Sequence, residues 1–297
     1  MRNIAPQKTA LYTAMITPYR FSGEIAFTEM EALLKDQERA GNGVVILGST
    51  GEGLALSEEE KRQVVNFTAN LQLQVPVLVG ISGYQLPQTL DFLRYCEGIN
   101  GLDGYLMPVP LYAKPGSEGQ LEWFTSLLNA VKRPCMIYNV PSRAGVKLST
   151  QTLNAISSHP NAWAVKEASG SLEDFSQYRA AAPSMRFYSG DDALLPEFAQ
   201  AGAVGLVSVA GNAWPEATQR YVQLCLEGKS AVTQPLWRQA SDSLFLASNP
   251  VPVKALLKKQ GRIDLVRVRA PLSERDLKNT LLLEEMDQKI QNWHASL

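Results

Sequence analysis

Apolar and polar positions along this chain repeat one pattern eight times: a short continuous apolar run, a loop of small or polar residues, then a segment with apolar residues at helical spacing. Leu11 to Ile16 is the first run, and Thr28-Glu29-Met30-Glu31 predicts a capping box opening a helix to about Ala40, closed by Gly41. Gly43 to Leu47 is the second, followed by the loop Gly48 to Gly53 and a second capping box, Ser57-Glu58-Glu59-Glu60, with a helix to about Leu71. Strands follow at Pro76 to Ile81, Leu102 to Met107, Pro134 to Asn139 and Ala162 to Lys166. Their helices start near Pro87, at a cap in Ser117-Glu118-Gly119-Gln120, near Ser149 and at Ser171. Arg186 to Ser189 and Gly205 to Val209 complete the set, and the last unit's helix runs from about Pro215 to Leu226.

Continuous apolar strands alternating with helices predict a parallel sheet covered on both faces, and eight consecutive units favour closure into a (β/α)₈ TIM barrel. An open doubly wound sheet is the alternative. Beyond Ser230 no strand pattern remains, and Val232 to Ser248, Val253 to Gln260 and Ser273 to Trp293 read as three helices. The expected division is therefore a (β/α)₈ barrel over 1–229 and a C-terminal helical domain over 230–297. The basic run Lys254 to Arg262 reads as a solvated helix face and end.

With 45% hydrophobic and 19% charged residues and a net charge of −1, the 297-residue chain has ample core and no general pull toward nucleic acid or anionic membrane. MRNIAPQKTA lacks the apolar segment of a signal peptide, and no apolar run approaches a membrane span, so the expected location is cytoplasmic. Cys96, Cys135 and Cys225 are odd in number and widely spaced, which argues for packed thiols rather than disulfides or a thiolate zinc site.

Chemistry concentrates where strands end. In Ala162-Trp163-Ala164-Val165-Lys166-Glu167-Ala168, period two puts Ala162, Ala164, Lys166 and Ala168 on one face and Trp163, Val165 and Glu167 on the other. A lysine among small neighbours leaves room for a small molecule. Desolvation can lower its pKa from ~10.4 and free an amine for Schiff-base formation with a carbonyl; a surface lysine at a strand end is the plain alternative.

Gly48-Ser49-Thr50-Gly51-Glu52-Gly53 offers backbone N–H groups and two hydroxyls to an anion. It lacks the lysine of a phosphate loop, which favours a carboxylate ligand over nucleotide phosphate, with a simple glycine turn as the alternative. Tyr138 shares a strand face with Met136 and can stand at the barrel mouth as a proton shuttle or a core aromatic. Arg143 could clamp a carboxylate with two parallel hydrogen bonds or lie exposed in its loop. Tyr112 follows the fourth strand in a proline-rich loop, where packing is the plain reading. Asp191-Asp192 suits helix capping better than a metal, and His159 and His294 lie away from strand ends, which argues against His-ligated zinc and a Ser-His-Asp triad.

Together GSTGEG, YNVPSRAG, VKEASG and YSGDD, in this order along nearly the whole chain, resemble the dihydrodipicolinate synthase and N-acetylneuraminate lyase superfamily, with Arg143 pointing to the synthase branch. The resemblance implies a pyruvate-dependent class I aldolase, commonly a homotetramer of tight dimers, needing no metal or organic cofactor. It implies Lys166 as the Schiff-base lysine, Tyr138 as proton relay, Ser49 as the middle hydroxyl and Tyr112 as the residue completing a neighbouring subunit's relay. Thr50, Gly190 and Val207 would belong to the pyruvate site, and Arg143 would bind the carboxylate of L-aspartate semialdehyde. Ser49 departs from the threonine usual in synthases but keeps a hydroxyl. Another pyruvate aldolase, cleaving sialic or keto-deoxy sugar acids, and a non-catalytic keto-acid-binding homologue are the alternatives. Feedback-sensitive relatives bind lysine in an interface cleft whose counterparts here are Leu54, Glu58, Lys61, Gln85, Thr89 and Leu111, a set poor in free acceptors, so lysine inhibition is expected to be weak or absent.

Overall fold

The computed structural model describes residues 5–297. Its eight strands are β1 Leu11–Ala14, β2 Gly43–Ile46, β3 Val77–Gly80, β4 Gly104–Pro108, β5 Cys135–Asn139, β6 Ala162–Glu167, β7 Arg186–Ser189 and β8 Gly205–Ser208. All neighbours pair in parallel, and β8 returns to β1 in a closed barrel rather than an open sheet. Around it run α1 Phe27–Ala40, α2 Glu58–Asn70, α3 Leu86–Glu97, α4 Ser117–Asn129, α5 Pro141–Ala144, α6 Thr150–Ile156, α7 Leu172–Ala181, α8 Leu195–Gln200 and α9 Pro215–Leu226. The continuous apolar strands follow from this burial on both faces. Tyr12, Val45, Leu78, Leu106, Met136, Ala164, Tyr188 and Val207 fill the interior, while alternate residues such as Val44, Val79, Ile137 and Val165 pack outward against the helices.

The strict alternation predicted for β6 breaks at its start. The β5–β6 register shifts between Cys135 and Met136, pairing Cys135 with Ala162 but Met136 with Ala164. That irregularity turns Trp163 inward, edge-on to Tyr188 with ring centres 5.6 Å apart, and leaves Ala162 in the outer layer. From Ala164 onward the predicted parity holds, so Lys166 faces the interior with Tyr138.

Ser57 forms the predicted capping box with Glu60, and Ser149 and Ser171 cap α6 and α7 through their side chains. Two predicted caps are corrected. α1 begins at Phe27, which places Thr28 inside the helix, and α4 begins at Ser117 itself. Gln120 instead crosslinks loops, donating to the Pro115 and Lys147 carbonyls and accepting from the Ser149 amide.

Three further helices follow the barrel: α10 Gln234–Ser243, α11 Val251–Lys259 and α12 Leu281–Ala295. The first and last are shorter than the polar pattern suggested. α10 stops at Ser243, and a loop through Asn249-Pro250 leads on to α11. Residues 261–280 form a strap with only a short 3-10 turn at Glu274–Asp276, tied down by arginines instead of a helical ladder. Arg262 reaches the Asn212 carbonyl and Asp36, and Arg269 reaches Glu60 and the Gly23 carbonyl. This strap and α11 lie against the loop that follows β2.

Candidate active site

The register that pairs β5 with β6 sets Tyr138 opposite Lys166 on the inner face. Both are nearly buried, and Lys166 Nζ stands 4.3 Å from the centre of the Tyr138 ring. One residue further along, Asn139 and Glu167 are paired on the outer face. Glu167 is fully buried; its Oε2 accepts from Asn139 Nδ2 at 2.7 Å and its Oε1 from the Ser169 amide at 2.7 Å. Burial raises its carboxyl above the ordinary range, opposed by those hydrogen bonds.

Gly190, after β7, is explained by the same lysine: a Cβ there would lie 2.9 Å from Lys166 Cε and 2.6 Å from Ala168 Cβ. Hydrogen at that position lets the lysine stem pass. Val207 is buried in the interior cluster on β8, opposite Tyr12.

A cavity of about 420 Å³ opens at the C-terminal ends of the strands, with Ser49, Tyr138 and Arg143 in its wall beside Leu106, Leu111 and Val140. This is the face where βα loops of such a barrel gather. Arg143 lies on the short α5, whose first residue is Pro141, so its backbone is preset for the turn. The structure therefore brings Ser49, Tyr138 and Arg143 to one cavity, with Lys166 beside the tyrosine ring. No hydrogen bond joins the Ser49 and Tyr138 hydroxyls. Thr50 is buried and accepts a 2.9 Å bond from Asn249 Nδ2. Tyr112 is not in the wall of its own chain's cavity: it is 86% exposed, with a left-handed φ of 66° and its amide bonded to the Ala144 carbonyl.

The C-terminal helices contribute residues that the sequence reading passed over. Lys254, placed on a solvated face, is fully buried, ion-paired to Glu52 Oε1 and 4.4 Å from the Tyr19 ring centre. Burial pulls its pKa below the ordinary lysine range to about 8, against the pull of Glu52. Arg269 donates its amide to Glu52 Oε2, so Glu52, at a left-handed φ of 56°, has both oxygens occupied. The available signal was the helical spacing of Lys254 with Val251 and Leu257, which puts it on the apolar face of α11. Asn249 carried no comparable signal.

Asp191 and Asp192 do cap backbone, but neither is the N-cap of α8, which is Leu194. Asp191 accepts from the Ala193 amide, whereas the buried Asp192 accepts from Ser208 Oγ and the Val209 and Ala210 amides beyond β8. Among the described residues no group of three His, Cys, Asp or Glu is placed to hold a metal, and no helix is long and apolar enough to cross a membrane. The cleft residues Leu54, Glu58, Lys61, Gln85, Thr89 and Leu111 do converge, around an adjoining cavity of about 310 Å³ that shares Leu54, Ile81, Ser82 and Leu111 with the first.

Residues 7–289 match the Dihydrodipicolinate synthetase family. A 4-hydroxy-tetrahydrodipicolinate synthase from Francisella philomiragia is 45% identical over 97% of both chains. The 4-hydroxy-tetrahydrodipicolinate synthase structure from Methylacidiphilum fumariolicum SolV superposes with a TM-score of 0.88 at 33% identity, covering 96% of this chain and 98% of that one. A dihydrodipicolinate synthase structure from Cyanidioschyzon merolae with lysine bound gives 0.86 at 28% identity, covering 99% and 100%.

Proposed function

Because the chain belongs to the dihydrodipicolinate synthetase family, we infer that it condenses pyruvate with L-aspartate 4-semialdehyde through a Schiff base on Lys166, in lysine and diaminopimelate biosynthesis. The observation that carries the assignment of roles is the nearly buried Lys166 against the Tyr138 ring, beside a cavity walled by Arg143. Residues 1–229 supply these groups, and 230–297 brace the loop that follows β2.

The unprotonated amine of Lys166 attacks the pyruvate ketone, and loss of water leaves an iminium. With the iminium as electron sink a methyl proton departs, giving an enamine whose carbon attacks the aldehyde of the second substrate. Arg143 holds that substrate's carboxylate by paired charged hydrogen bonds. The aldehyde oxygen becomes a hydroxyl, and the substrate's own amine displaces Lys166 from the iminium carbon, closing the ring of 4-hydroxy-tetrahydrodipicolinate and freeing the enzyme. Tyr138 and Ser49 move protons within one subunit, and Tyr112 of a neighbouring subunit completes the relay. Thr50, Gly190 and Val207 shape the pyruvate end. The exposed Tyr112 is available to a neighbouring subunit, which supports assembly through tight dimers; we propose that such dimers pair into a homotetramer and that the enzyme works in the cytoplasm.

Incubation with pyruvate and borohydride, followed by peptide mapping, is expected to place the reduced adduct on Lys166. A coupled assay with L-aspartate 4-semialdehyde is expected to show turnover. An adduct on another lysine, or no condensation, rejects the reading.

A further inference from the structure

Two groups must stand at a set separation for the carbon–carbon bond to form. The enamine is built on Lys166, while the aldehyde it attacks is gripped through its carboxylate by Arg143, so the reach from amine to guanidinium decides whether the two carbons meet. Lys166 is nearly buried at the end of β6. Arg143 has no such support: it is exposed on the single turn of α5, and among the described residues no side chain or carbonyl hydrogen-bonds or ion-pairs with its guanidinium. Its place depends on the course of the backbone.

That course is closed by Asn139. The chain leaves β5 at Asn139, passes through α5 and comes back at Leu148, whose amide donates to Asn139 Oδ1 at 2.9 Å. Within the loop the Arg143 and Ala144 amides donate to the Val140 carbonyl and the Gly145 amide to that of Pro141, so the turn bearing Arg143 moves as a unit. Tyr178 and Gln120 hold the returning end to α7 and α4. Asn139 ties it to β6. Its Nδ2 donates to Oε2 of Glu167, the residue after Lys166, at 2.7 Å, and Glu167 Oε1 accepts from the Ser169 amide. Asn139 and Glu167 are fully buried, so neither can exchange its partner for water, and only a carboxamide can accept from the Leu148 amide while donating to a carboxylate.

Resting on the functional reading above, we propose that Asn139 is a positioning residue for the second substrate: its side chain pins the Arg143 loop to the strand end that carries Lys166 and so fixes the reach from carboxylate clamp to enamine. Asn139 is fully buried outside the cavity wall and acts through Arg143 rather than on a substrate.

A double-mutant cycle separates this role from a general loss of structure. In Asn139→Ala, kcat/KM for L-aspartate 4-semialdehyde is expected to fall about tenfold or more, the scale of a displaced binding group. Borohydride trapping of pyruvate, which does not use Arg143, is expected to fall less. In an Arg143→Ala background the same change is expected to cost no more than about twofold, because the clamp it serves is gone. A purely structural role costs the same factor in both backgrounds, and that result overturns the proposal. Should Asn139→Ala fail to fold, an exchanged pair decides. Asn139→Asp alone faces one carboxylate with another, whereas adding Glu167→Gln restores every bond with donor and acceptor exchanged: the new carboxylate accepts from the Leu148 amide and from the new carboxamide, whose oxygen accepts from the Ser169 amide. The exchanged pair is expected to exceed Asn139→Asp in semialdehyde kcat/KM when Arg143 is present and to gain nothing in Arg143→Ala. No gain, or the same gain in both, overturns the proposal. Wild-type turnover with an additive cycle overturns this inference alone, while a wild-type enzyme that condenses no semialdehyde overturns the functional reading and this inference with it.

Discussion

Asn139 and Glu167 join the outer faces of β5 and β6 by a 2.7 Å hydrogen bond, one residue beyond the Tyr138–Lys166 pair on the inner face. The clamp fixes the strand ends that carry both groups, and it has a pH signature. A carboxyl whose pKa is higher folded than unfolded binds more protons in the folded state, so its stabilising contribution is full below the unfolded value and lost as pH rises through the folded one. For Glu167 that window opens upward from about 4.5. Glu167→Gln removes the slope. The stability advantage of the wild type over the variant is expected to be largest at acid pH and to shrink toward neutrality; melting curves showing a pH-independent gap would contradict this.

Gly190→Ala puts a methyl group 2.9 Å from Lys166 Cε, so the lysine stem must shift. Overpacking of this kind costs roughly 1–3 kcal/mol of stability, but a misplacement of ~1 Å at a reacting atom can cost about 10²-fold in rate. Borohydride trapping of pyruvate should slow far more than the melting temperature falls. Unchanged trapping would mean that the lysine has slack the packing does not show.

Arg143→Ala is expected to cut kcat/KM for the aldehyde about 10–100-fold, the scale of charged hydrogen bonds to a carboxylate, with pyruvate trapping largely kept. Steady-state kinetics beside mass-spectrometric labelling check this, and equal loss of both functions rejects the clamp.

Much of this was legible in the chain. Continuous apolar strands such as Gly43 to Leu47 imply burial on both faces and so a helix-covered parallel sheet, while the count of eight units favoured the closed barrel over an open sheet. Lys166 and Tyr138 were readable because strand parity is local. Trp163 was misplaced because a register shift is a property of two strands together, not of one. The burial of Lys254 was signalled by its spacing with Val251 and Leu257, but its partner Glu52 lies 202 residues earlier, and no local pattern reports a contact of that range. Thr28 and Ser117 fit cap patterns that the neighbouring residues Ala26 and Gly116 took over.

On the proposed relay, Tyr112→Phe is expected to lower turnover while leaving pyruvate trapping intact, since the lost hydroxyl would serve proton transfer across subunits. Mixing Tyr112→Phe with an inactive Lys166→Ala variant should recover activity in hybrid dimers, where one site has both an intact lysine and the partner's tyrosine. Failure of any mixture to exceed its components would show the relay to be self-contained.

Lysine is expected to inhibit weakly or not at all at millimolar concentration. The Cyanidioschyzon merolae structure has lysine bound. Here Glu58 in the cleft is already paired with Lys61 at 2.7 Å, and Leu111 brings no hydroxyl. An incoming ammonium meets a cation and too few acceptors, a loss of about 1–3 kcal/mol for each bond unmade. Strong cooperative inhibition below about 1 mM, a −4.1 kcal/mol binding energy, would refute this.

The Glu52–Lys254 pair also has a meaning in time. Synthesis delivers β2 and its loop early, but the ammonium that neutralises Glu52 is 202 residues further on, and the Arg269 amide is 217 residues away. Until those residues leave the ribosome, the loop bearing Ser49 and Thr50 holds a carboxylate with neither partner. All eight strands, the last ending at Ser208, are therefore synthesised before the loop after β2 can gain either partner, and its bracing waits on residues 254–269.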